Sequence, residues 1–252
     1  MKFQLNSHFQ RTLVRSMLLL AAALLTACAS GPTADRRDPL EPLNRGVFRF
    51  NDAVDRAAIK PAATAYRDVV PSPVRTGINN FFSNLQDAWS AVNNALQLNA
   101  EAAGNSAMRF GVNTVFGLGG LLDIASEMRI ERHTKDFGHT LGYWGVPPGP
   151  YIVMPLLGPS TLRDTAAKSV DVAGNLLSGL DDHGARNTAT ALKLLDSRAQ
   201  LLGASAMLEQ IALDPYTFTR DAHLQRRRAS IYDGYPPDEE EVMPDLDKVP
   251  AQ

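Results

Sequence analysis

The sequence predicts a mainly α-helical protein that is attached to a membrane. Apolar residues recur every three or four positions over several long segments, strand signals are sparse, and the chain opens with an export signal that ends in a cysteine. The length of 252 residues suits one large domain or two small ones once that signal is removed. Without that signal the chain carries 22 Lys and Arg against 27 Asp and Glu, and a net charge near −5 argues against nucleic acid as the main partner.

Residues 1–27 are predicted to be a lipoprotein signal peptide. Lys2, Arg11 and Arg15 precede the apolar run MLLLAAALLTA, which is too short to span a bilayer. The end of this region, LTAC, resembles the bacterial lipobox, in which the cysteine after the cleavage site becomes acylated. The alternative is an ordinary signal peptide with a chance cysteine near its cleavage site.

Cys28 is therefore the predicted lipidation site. It is the only cysteine in the chain, so no internal disulfide can form. Ala29 follows it in place of the aspartate that holds many lipoproteins at the inner membrane, which favours sorting to the outer membrane. We expect residues 28–37 to be a lipidated linker and residues 38–235 to form one helical domain.

The first predicted helix lies in the segment LNRGVFRFNDAVDRAAIKP. Its apolar residues recur with the period of a helix, while the charged residues lie mostly elsewhere. Pro61 is expected to stop the pattern, because a proline ring clashes with the preceding helical turn. The apolar positions are Leu43, Val47, Phe50, Val54 and Ala58.

A longer amphipathic helix is predicted next, with Ser72 as its N-cap and Pro73 at its first helical position. Its apolar stripe consists of Val74, Ile78, Phe81, Leu85, Trp89, Val92 and Leu96. Most remaining positions carry amides, where a solvated helix would carry Lys and Glu. These amides either line a polar channel or are satisfied inside a helical core. The candidate channel residues are Asn79, Asn80, Asn84 and Asn93.

The segment FGVNTVFGLGGLLDIA, residues 110–125, contains four glycines. Glycine weakens an ordinary helix, so we expect a bend or a close approach of the backbone. The GLGG sequence is not a phosphate-binding loop, because it lacks the Gly-Lys-Ser/Thr ending of a P-loop. Phe110 and Phe116 are candidate lipid-facing residues.

No charged residue occurs between Leu141 and Leu162, and this stretch contains five prolines. The prolines exclude a transmembrane helix, and the many apolar side chains exclude an ordinary solvent loop. We therefore expect irregular backbone that is held against the protein core or against lipid. Trp144 and Tyr151 are candidate lipid-facing residues, and YIVM is the best strand signal in the chain.

Three further helices are predicted, in TLRDTAAKSVDVAGNLLSGL, in ATALKLLDSRAQLLGASAMLEQIALDP and in PYTFTRDAHLQRRRASIYDG. Arg226 to Arg228 are expected on a solvated face of the last one. Residues 236–252 are acidic and rich in proline, which is typical of a disordered tail.

Catalytic motifs are scarce in this sequence. It contains no G-x-S-x-G and no H-E-x-x-H motif. Two polar groups combine histidine with acidic residues: Glu131, His133, Asp136 and His139, and Asp181, Asp182 and His183. We interpret both as surface or helix-capping groups, so the sequence predicts no catalytic residue, no metal site and no cofactor.

Five segments together resemble the VacJ family, also called MlaA, whose members are outer-membrane lipoproteins. They are DPLEPLNRGVFRFND, YRDVVPSPVRTGINNFFSNL, RFGVNTVFGLGGLLDIA, FGHTLGYWGVPPGPYIVMPLLGPSTLRD and DPYTFTRDA. They follow one another in the family's order and cover most of the mature chain. Residues 185–208 match only as a generic amphipathic helix.

The resemblance implies a ring of amphipathic helices that lies in the outer membrane around a polar-lined channel for phospholipid. It also implies association with a trimeric porin and transfer of lipid to a periplasmic carrier protein, which maintains lipid asymmetry. Two other classes stay open on the residues alone. A structural envelope-assembly lipoprotein would carry no lipid, and an envelope lipid hydrolase would release fatty acid from phospholipid.

Overall fold

The computed structural model describes residues 35–237, which form a set of packed helices with one small β-hairpin. The predicted mainly α-helical class is confirmed. Residues 1–34 and 238–252 lie outside the described part of the chain. The predicted signal peptide, the predicted lipidation site Cys28 and nearly all of the predicted tail therefore lie outside it too.

The first helical segment is continuous and consists of α1 (Glu41–Val54), a π-helical turn (Asp55–Ile59) and α2 (Lys60–Val69). The prediction that Pro61 ends the helix is wrong. In the π-helical turn the N–H of Lys60 donates to the carbonyl of Asp55, five positions earlier in the chain instead of four. This wider turn makes room for the ring of Pro61, which lies in the first turn of α2.

A helical hairpin follows, made of α3 (Ser72–Leu96) and α4 (Ala100–Val115), which pack closely along their lengths. Ser72 is not the N-cap that the sequence suggested. Pro71 holds that position, and no side chain caps the helix there. At the other end, Asn99 caps α4 by accepting a hydrogen bond from the N–H of Ala102 at 3.1 Å.

The glycine segment after α4 makes the expected bend. Gly119 and Gly120 have φ angles of 73° and 95°, in the region that favours glycine. A Cβ atom at Gly120 would lie 2.6 Å from Nδ2 of Asn84, so the backbone approaches α3 closely here. The predicted close approach is confirmed. Two short helices come next, α5 (Ile124–Glu127) and α6 (Phe137–Tyr143).

The charge-free stretch contains an antiparallel hairpin of β1 (Tyr151–Met154) and β2 (Gly158–Thr161). The strand expected at YIVM is confirmed. Asn44 of α1 holds β1 in place, because its Nδ2 donates to the carbonyl of Tyr151 at 2.9 Å and its Oδ1 accepts from the N–H of Val153 at 2.9 Å. The amide thereby supplies bonds that a third strand would otherwise provide.

The rest of the described chain comprises α7 (Leu162–Gly174), a 3₁₀ turn (Leu176–Gly179), α8 (His183–Ile211) and α9 (Pro215–Ile231). The three helices predicted in this region are confirmed. Two small apolar clusters contribute to the core: Ala63, Tyr66, Ala199 and Leu202 between α2 and α8, and Tyr151, Val153 and Tyr216 between β1 and α9. Within residues 35–237, no helix is both long enough and apolar enough to cross a bilayer.

Candidate functional site

The amide-rich face of α3 is buried between helices. Asn84 and Asn93 are 1% and 0% exposed. Asn84 Nδ2 donates to Thr114 Oγ1 of α4 at 2.9 Å, and Asn93 Oδ1 accepts from Thr140 Oγ1 of α6 at 2.9 Å. These amides join α3 to its neighbours, which agrees with the core alternative that the sequence left open.

The two remaining candidate amides, Asn79 and Asn80, lie nearer the start of α3 and are half-buried. Asn80 Nδ2 donates to the carbonyl of Leu121 at 3.1 Å and so fastens the bend after α4. A channel-lining role for any of the four amides stays a prediction.

The four aromatic residues expected to face lipid lie in different environments. Phe116 and Trp144 are 70% and 53% exposed, whereas Phe110 is half-buried. Tyr151 is 0% exposed and packs against Tyr216, with 6.3 Å between the ring centroids. Tyr151 therefore has no surface with which to contact lipid in this structure. For Phe116 and Trp144 a lipid-facing role stays a prediction.

Two segments expose many large apolar side chains. Around the bend after α4 these are Val115, Phe116, Leu118, Leu121 and Leu122. Around the hairpin they are Tyr143, Trp144, Val146, Leu156, Leu157 and Leu162. A soluble monomer seldom exposes so many apolar side chains in one region. The charge-free stretch is thus divided, since β1 packs against the core while the residues on either side of it stay exposed.

A buried ion-pair cluster joins α3 and α4 to the segment around α5. Arg109 is 2% exposed and donates to Asp123 at 2.8 Å and to Asp87 at 3.4 Å. Arg132 reaches the same Asp87 at 3.1 Å. Burial raises the pKa of Asp87 in spite of both guanidinium groups. This cluster was not predicted from the sequence. Asp87 is the only carboxylate in α3, and a single charge on a helix rich in amides could have indicated a buried ion pair.

A second buried cluster joins α6, α7 and α9 through Arg227. Its guanidinium contacts Asp136 at 2.6 Å and Asp164 at 2.9 Å. The prediction that Arg226 to Arg228 form a solvated face is therefore wrong for Arg227. Consecutive residues of a helix point in different directions, so one arginine of the three faces inward.

The two histidine and acid groups of the sequence supply helix caps. Asp136 accepts from the N–H of His139 at 2.9 Å, and His139 Nδ1 accepts from the N–H of Asp136 at 3.1 Å, which together form a capping box at the start of α6. Asp182 caps α8 by accepting from the N–H of Gly184 at 2.7 Å. The capping interpretation is confirmed for these residues. Across residues 35–237, no three metal-ligating side chains gather into a candidate metal site.

The Arg227 cluster is expected to make the fold sensitive to acid. Burial alone would raise the pKa of Asp136, but hydrogen bonding with His139 and Arg227 outweighs burial and holds this pKa well below its usual range. Arg227 and Arg163 likewise lower the pKa of the buried Asp164. A carboxylate with a lowered folded pKa stabilises the fold above its unfolded pKa, and this stabilisation is lost as the pH falls below about 5.

Urea unfolding at neutral pH and at decreasing acidic pH measures this effect. We expect the wild-type midpoint to drop steeply in acid. Asp136→Asn should unfold at lower urea at neutral pH and should lose less of its stability on acidification. An identical acid dependence in the wild type and in Asp136→Asn would contradict this origin of the acid sensitivity.

A cavity of about 260 Å³ lies between α3, α7 and α8. The apolar residues of its wall are Phe82, Leu85, Trp89, Val172 and Leu177. The polar residues of the same wall are Gln86, Asp136, Lys168, Asp171, Asn175 and Lys193. The apolar stripe predicted for α3 supplies part of this wall. No local motif marks the site, because its residues come from segments that are far apart in the sequence.

The contact between α3 and α7 fixes the shape of this cavity. Trp89 Nε1 donates to Asp171 Oδ1 at 2.9 Å, and the N–H of Phe137 donates to the same oxygen at 2.8 Å. Gly174 permits the close packing, since a Cβ atom there would lie 2.3 Å from the Trp89 ring. Trp89 is thus held in one orientation at the wall.

The composition of the wall suits a ligand that has both an apolar part and a charged part. Pockets that enclose a whole drug-sized molecule have volumes of about 300–1,000 Å³. A cavity of about 260 Å³ therefore fits one portion of a larger amphipathic molecule, such as a headgroup with the adjoining methylene groups.

Comparisons with known proteins agree with this description. The family model described as MlaA lipoprotein matches residues 36–230. The "Intermembrane phospholipid transport system lipoprotein MlaA" of Escherichia coli (strain K12) is 39% identical over 219 residues, which cover 84% of this chain and 86% of that protein. The protein of the same name from Haemophilus influenzae is 34% identical over 243 residues, which cover 90% of this chain and 94% of that protein.

A solved structure gives the same result for the fold. It was reported as "Structural basis for maintenance of bacterial outer membrane lipid asymmetry". Its chain matches this one with a TM-score of 0.70 and 37% identity, over 78% of this chain and 100% of that chain. Both the family model and the relatives extend over most of the described residues. The chain therefore belongs to the MlaA lipoprotein family.

Proposed function

We propose that this protein is an outer-membrane lipoprotein that takes misplaced phospholipid from the outer leaflet and passes it to a periplasmic carrier. The named relatives belong to an intermembrane phospholipid transport system, and the solved relative was described in connection with outer-membrane lipid asymmetry. The cavity between α3, α7 and α8 carries the proposal, because both apolar and charged side chains line it. Such a wall matches the amphipathic character of a phospholipid.

The exposed apolar segments support a body that lies within the membrane. Phe116 and Trp144 would contact acyl chains, where apolar side chains cost nothing to expose. Lipidation of Cys28 would add about 0.8 kcal/mol of membrane affinity for each buried CH₂ group. The arrangement that we propose is a ring of amphipathic helices in the outer membrane beside a trimeric porin.

Energetics explains why net removal of lipid needs an acceptor. An acyl chain that enters water costs about 0.8 kcal/mol for each CH₂ group, so a phospholipid leaves a bilayer very slowly without help. A channel lowers this barrier and leaves the equilibrium unchanged. The sequence contains no P-loop with which to couple transport to nucleotide hydrolysis. Net removal of lipid then depends on a carrier that keeps the receiving side empty, and the protein acts as a conduit and not as an enzyme.

Loss of the protein is expected to leave phospholipid on the cell surface. Intact cells of a deletion strain, labelled with a membrane-impermeant amine reagent, should yield more labelled phosphatidylethanolamine than wild-type cells. The wild-type chain should restore low labelling. Cys28→Ser should not restore it, because the anchor is lost when serine replaces the acylated cysteine.

Three results would contradict parts of the proposal. Unchanged labelling in the deletion strain would favour the structural alternative. Release of free fatty acid from phospholipid vesicles by the purified protein would favour the hydrolase. An intact mass of the wild-type protein without acyl groups would remove the lipid anchor.

A further inference from the structure

Two lysines of the cavity wall have no partner within the described chain. Lys168 of α7 and Lys193 of α8 both line the cavity, and neither forms an ion pair or a hydrogen bond with any residue between positions 35 and 237. Lysine heads normally point into water or meet a carboxylate. Here Lys193 is half-buried and Lys168 is exposed, and both line one partly enclosed space.

The carboxylates of the same wall are engaged elsewhere. Asp136 is paired with Arg227 at 2.6 Å. Asp171 accepts two hydrogen bonds at a single oxygen, from Trp89 and from the N–H of Phe137. Neither carboxylate forms an ion pair with a lysine among the described residues.

The electrostatic environment of Lys193 favours a bound anion. Burial lowers the pKa of Lys193, and the positive charge of Lys168 lowers it further. An anion between the two ammonium groups would reverse the repulsion and would replace lost hydration with charge-assisted hydrogen bonds. The flexible stem of lysine also lets both heads approach one anionic group from different helices.

The rest of the wall indicates what kind of anion fits. Phe82, Leu85 and Trp89 of α3 present apolar surface to the same space as the lysines. An inorganic anion would satisfy the lysines but would leave this apolar surface in contact with water. An anion that is joined to a hydrocarbon part satisfies both.

We propose that Lys168 and Lys193 bind the phosphate group of a phospholipid while its glycerol and first methylene groups lie against the α3 wall. This inference rests on the proposed transport function and adds a phosphate-binding site to the route of the lipid. The site gives the protein a preference for phosphate-bearing lipid over neutral lipid of the same acyl length. Free inorganic phosphate carries the same anionic group, so the test must distinguish binding of the lipid from binding of free phosphate.

The test measures binding to the full-length lipidated protein in mild detergent. Trp89 lies in the cavity wall and is one of two tryptophans in the chain, so in a Trp144→Phe background its fluorescence reports on the cavity. Three probes are compared: dihexanoylphosphatidylglycerol, dihexanoylglycerol and inorganic phosphate. The variants are Lys168→Gln/Lys193→Gln, Lys168→Arg/Lys193→Arg and, as a control, Lys60→Gln, whose ammonium pairs with Glu209 away from the cavity.

We expect the phosphate-bearing lipid to bind most tightly to the wild type. The double glutamine variant should weaken its binding at least about tenfold, since two charge-assisted hydrogen bonds are lost. The same variant should leave dihexanoylglycerol binding unchanged. The double arginine variant and Lys60→Gln should bind the phosphate-bearing lipid like the wild type. Removal of two like charges from one cavity should not lower the thermal midpoint.

Two results would overturn the inference. Equal affinity of the double glutamine variant and the wild type for dihexanoylphosphatidylglycerol would show that the lysines do not bind phosphate. Inorganic phosphate that binds as tightly as the lipid would make this a site for the free ion. Neither result would affect the surface-labelling test of transport, which fails only if deletion of the protein leaves the outer leaflet unchanged.

Discussion

Replacement of Arg109 by methionine is expected to destabilise the folded protein by about 3 kcal/mol, the lower end of the range for breaking a buried ion pair. Methionine is shorter and uncharged, so Asp87 and Asp123 lose the buried guanidinium group with which both form ion pairs. Arg132 still contacts Asp87 at 3.1 Å, which places the loss at the lower end. The carbonyl of Ile130 also loses a donor that lies 2.6 Å away.

Denaturant unfolding followed by far-ultraviolet circular dichroism measures this loss. Arg67→Met is the matched control, because Arg67 is 43% exposed and pairs only with the neighbouring Asp68 at 3.0 Å among the contacts of the described chain. It should change the free energy of unfolding by no more than about 0.5 kcal/mol. A wild-type unfolding midpoint for Arg109→Met would show that the buried cluster does not hold the hairpin together.

Helix α3 shows how far the pattern of residues predicts this fold. The 3.6-residue period predicted the helix itself, but it did not predict which face is buried. Val74 and Val92 of the apolar stripe are 51% and 46% exposed, while Asn84 and Asn93 on the two flanks of the stripe are buried. A helix beside lipid can expose its apolar side and satisfy its polar side within the protein, so the usual rule for soluble helices does not decide its orientation.

The local corrections have specific physical causes. Pro61 would end an α-helix, but the π-helical turn before it removes the steric clash. No residue type in the sequence predicts such a turn. Arg227 belongs to a run of three arginines, a pattern that is typical of a solvent-exposed helix face. Its true environment depends on Asp136 and Asp164, which lie on other helices.

The cavity could not have been predicted from the sequence. Lys168 and Lys193 occupy ordinary positions in two amphipathic segments, and only the packing of α7 and α8 on α3 brings them together. Trp89 was assigned to the apolar stripe, yet its contact with Asp171 is what positions α7. Sequence analysis therefore predicted the helices and the family, whereas the site required the tertiary structure.

The second large effect is expected when the cavity is filled. Val172→Trp replaces a small side chain of the cavity wall with an indole, in a space of only about 260 Å³. Val172 is 58% exposed, so a larger side chain at this position of the wall does not require α7 to move. We expect the variant to accumulate to the wild-type level and to transport no lipid, because the headgroup can no longer enter.

Val170→Trp is the control for this experiment. Val170 lies on the same helix and is 37% exposed, but it does not line the cavity. It tests whether a tryptophan on α7 disturbs the fold or the membrane association. Thermal unfolding and membrane fractionation should give the same result for both variants.

Phospholipid on the surface of intact cells that produce Val172→Trp tests the central claim most directly, namely that lipid passes through the cavity between α3, α7 and α8. We predict that labelling with a membrane-impermeant amine reagent will be as high as in the deletion strain, while Val170→Trp cells stay at the wild-type level. Wild-type labelling in Val172→Trp cells, at wild-type abundance of the variant, would contradict passage through this cavity.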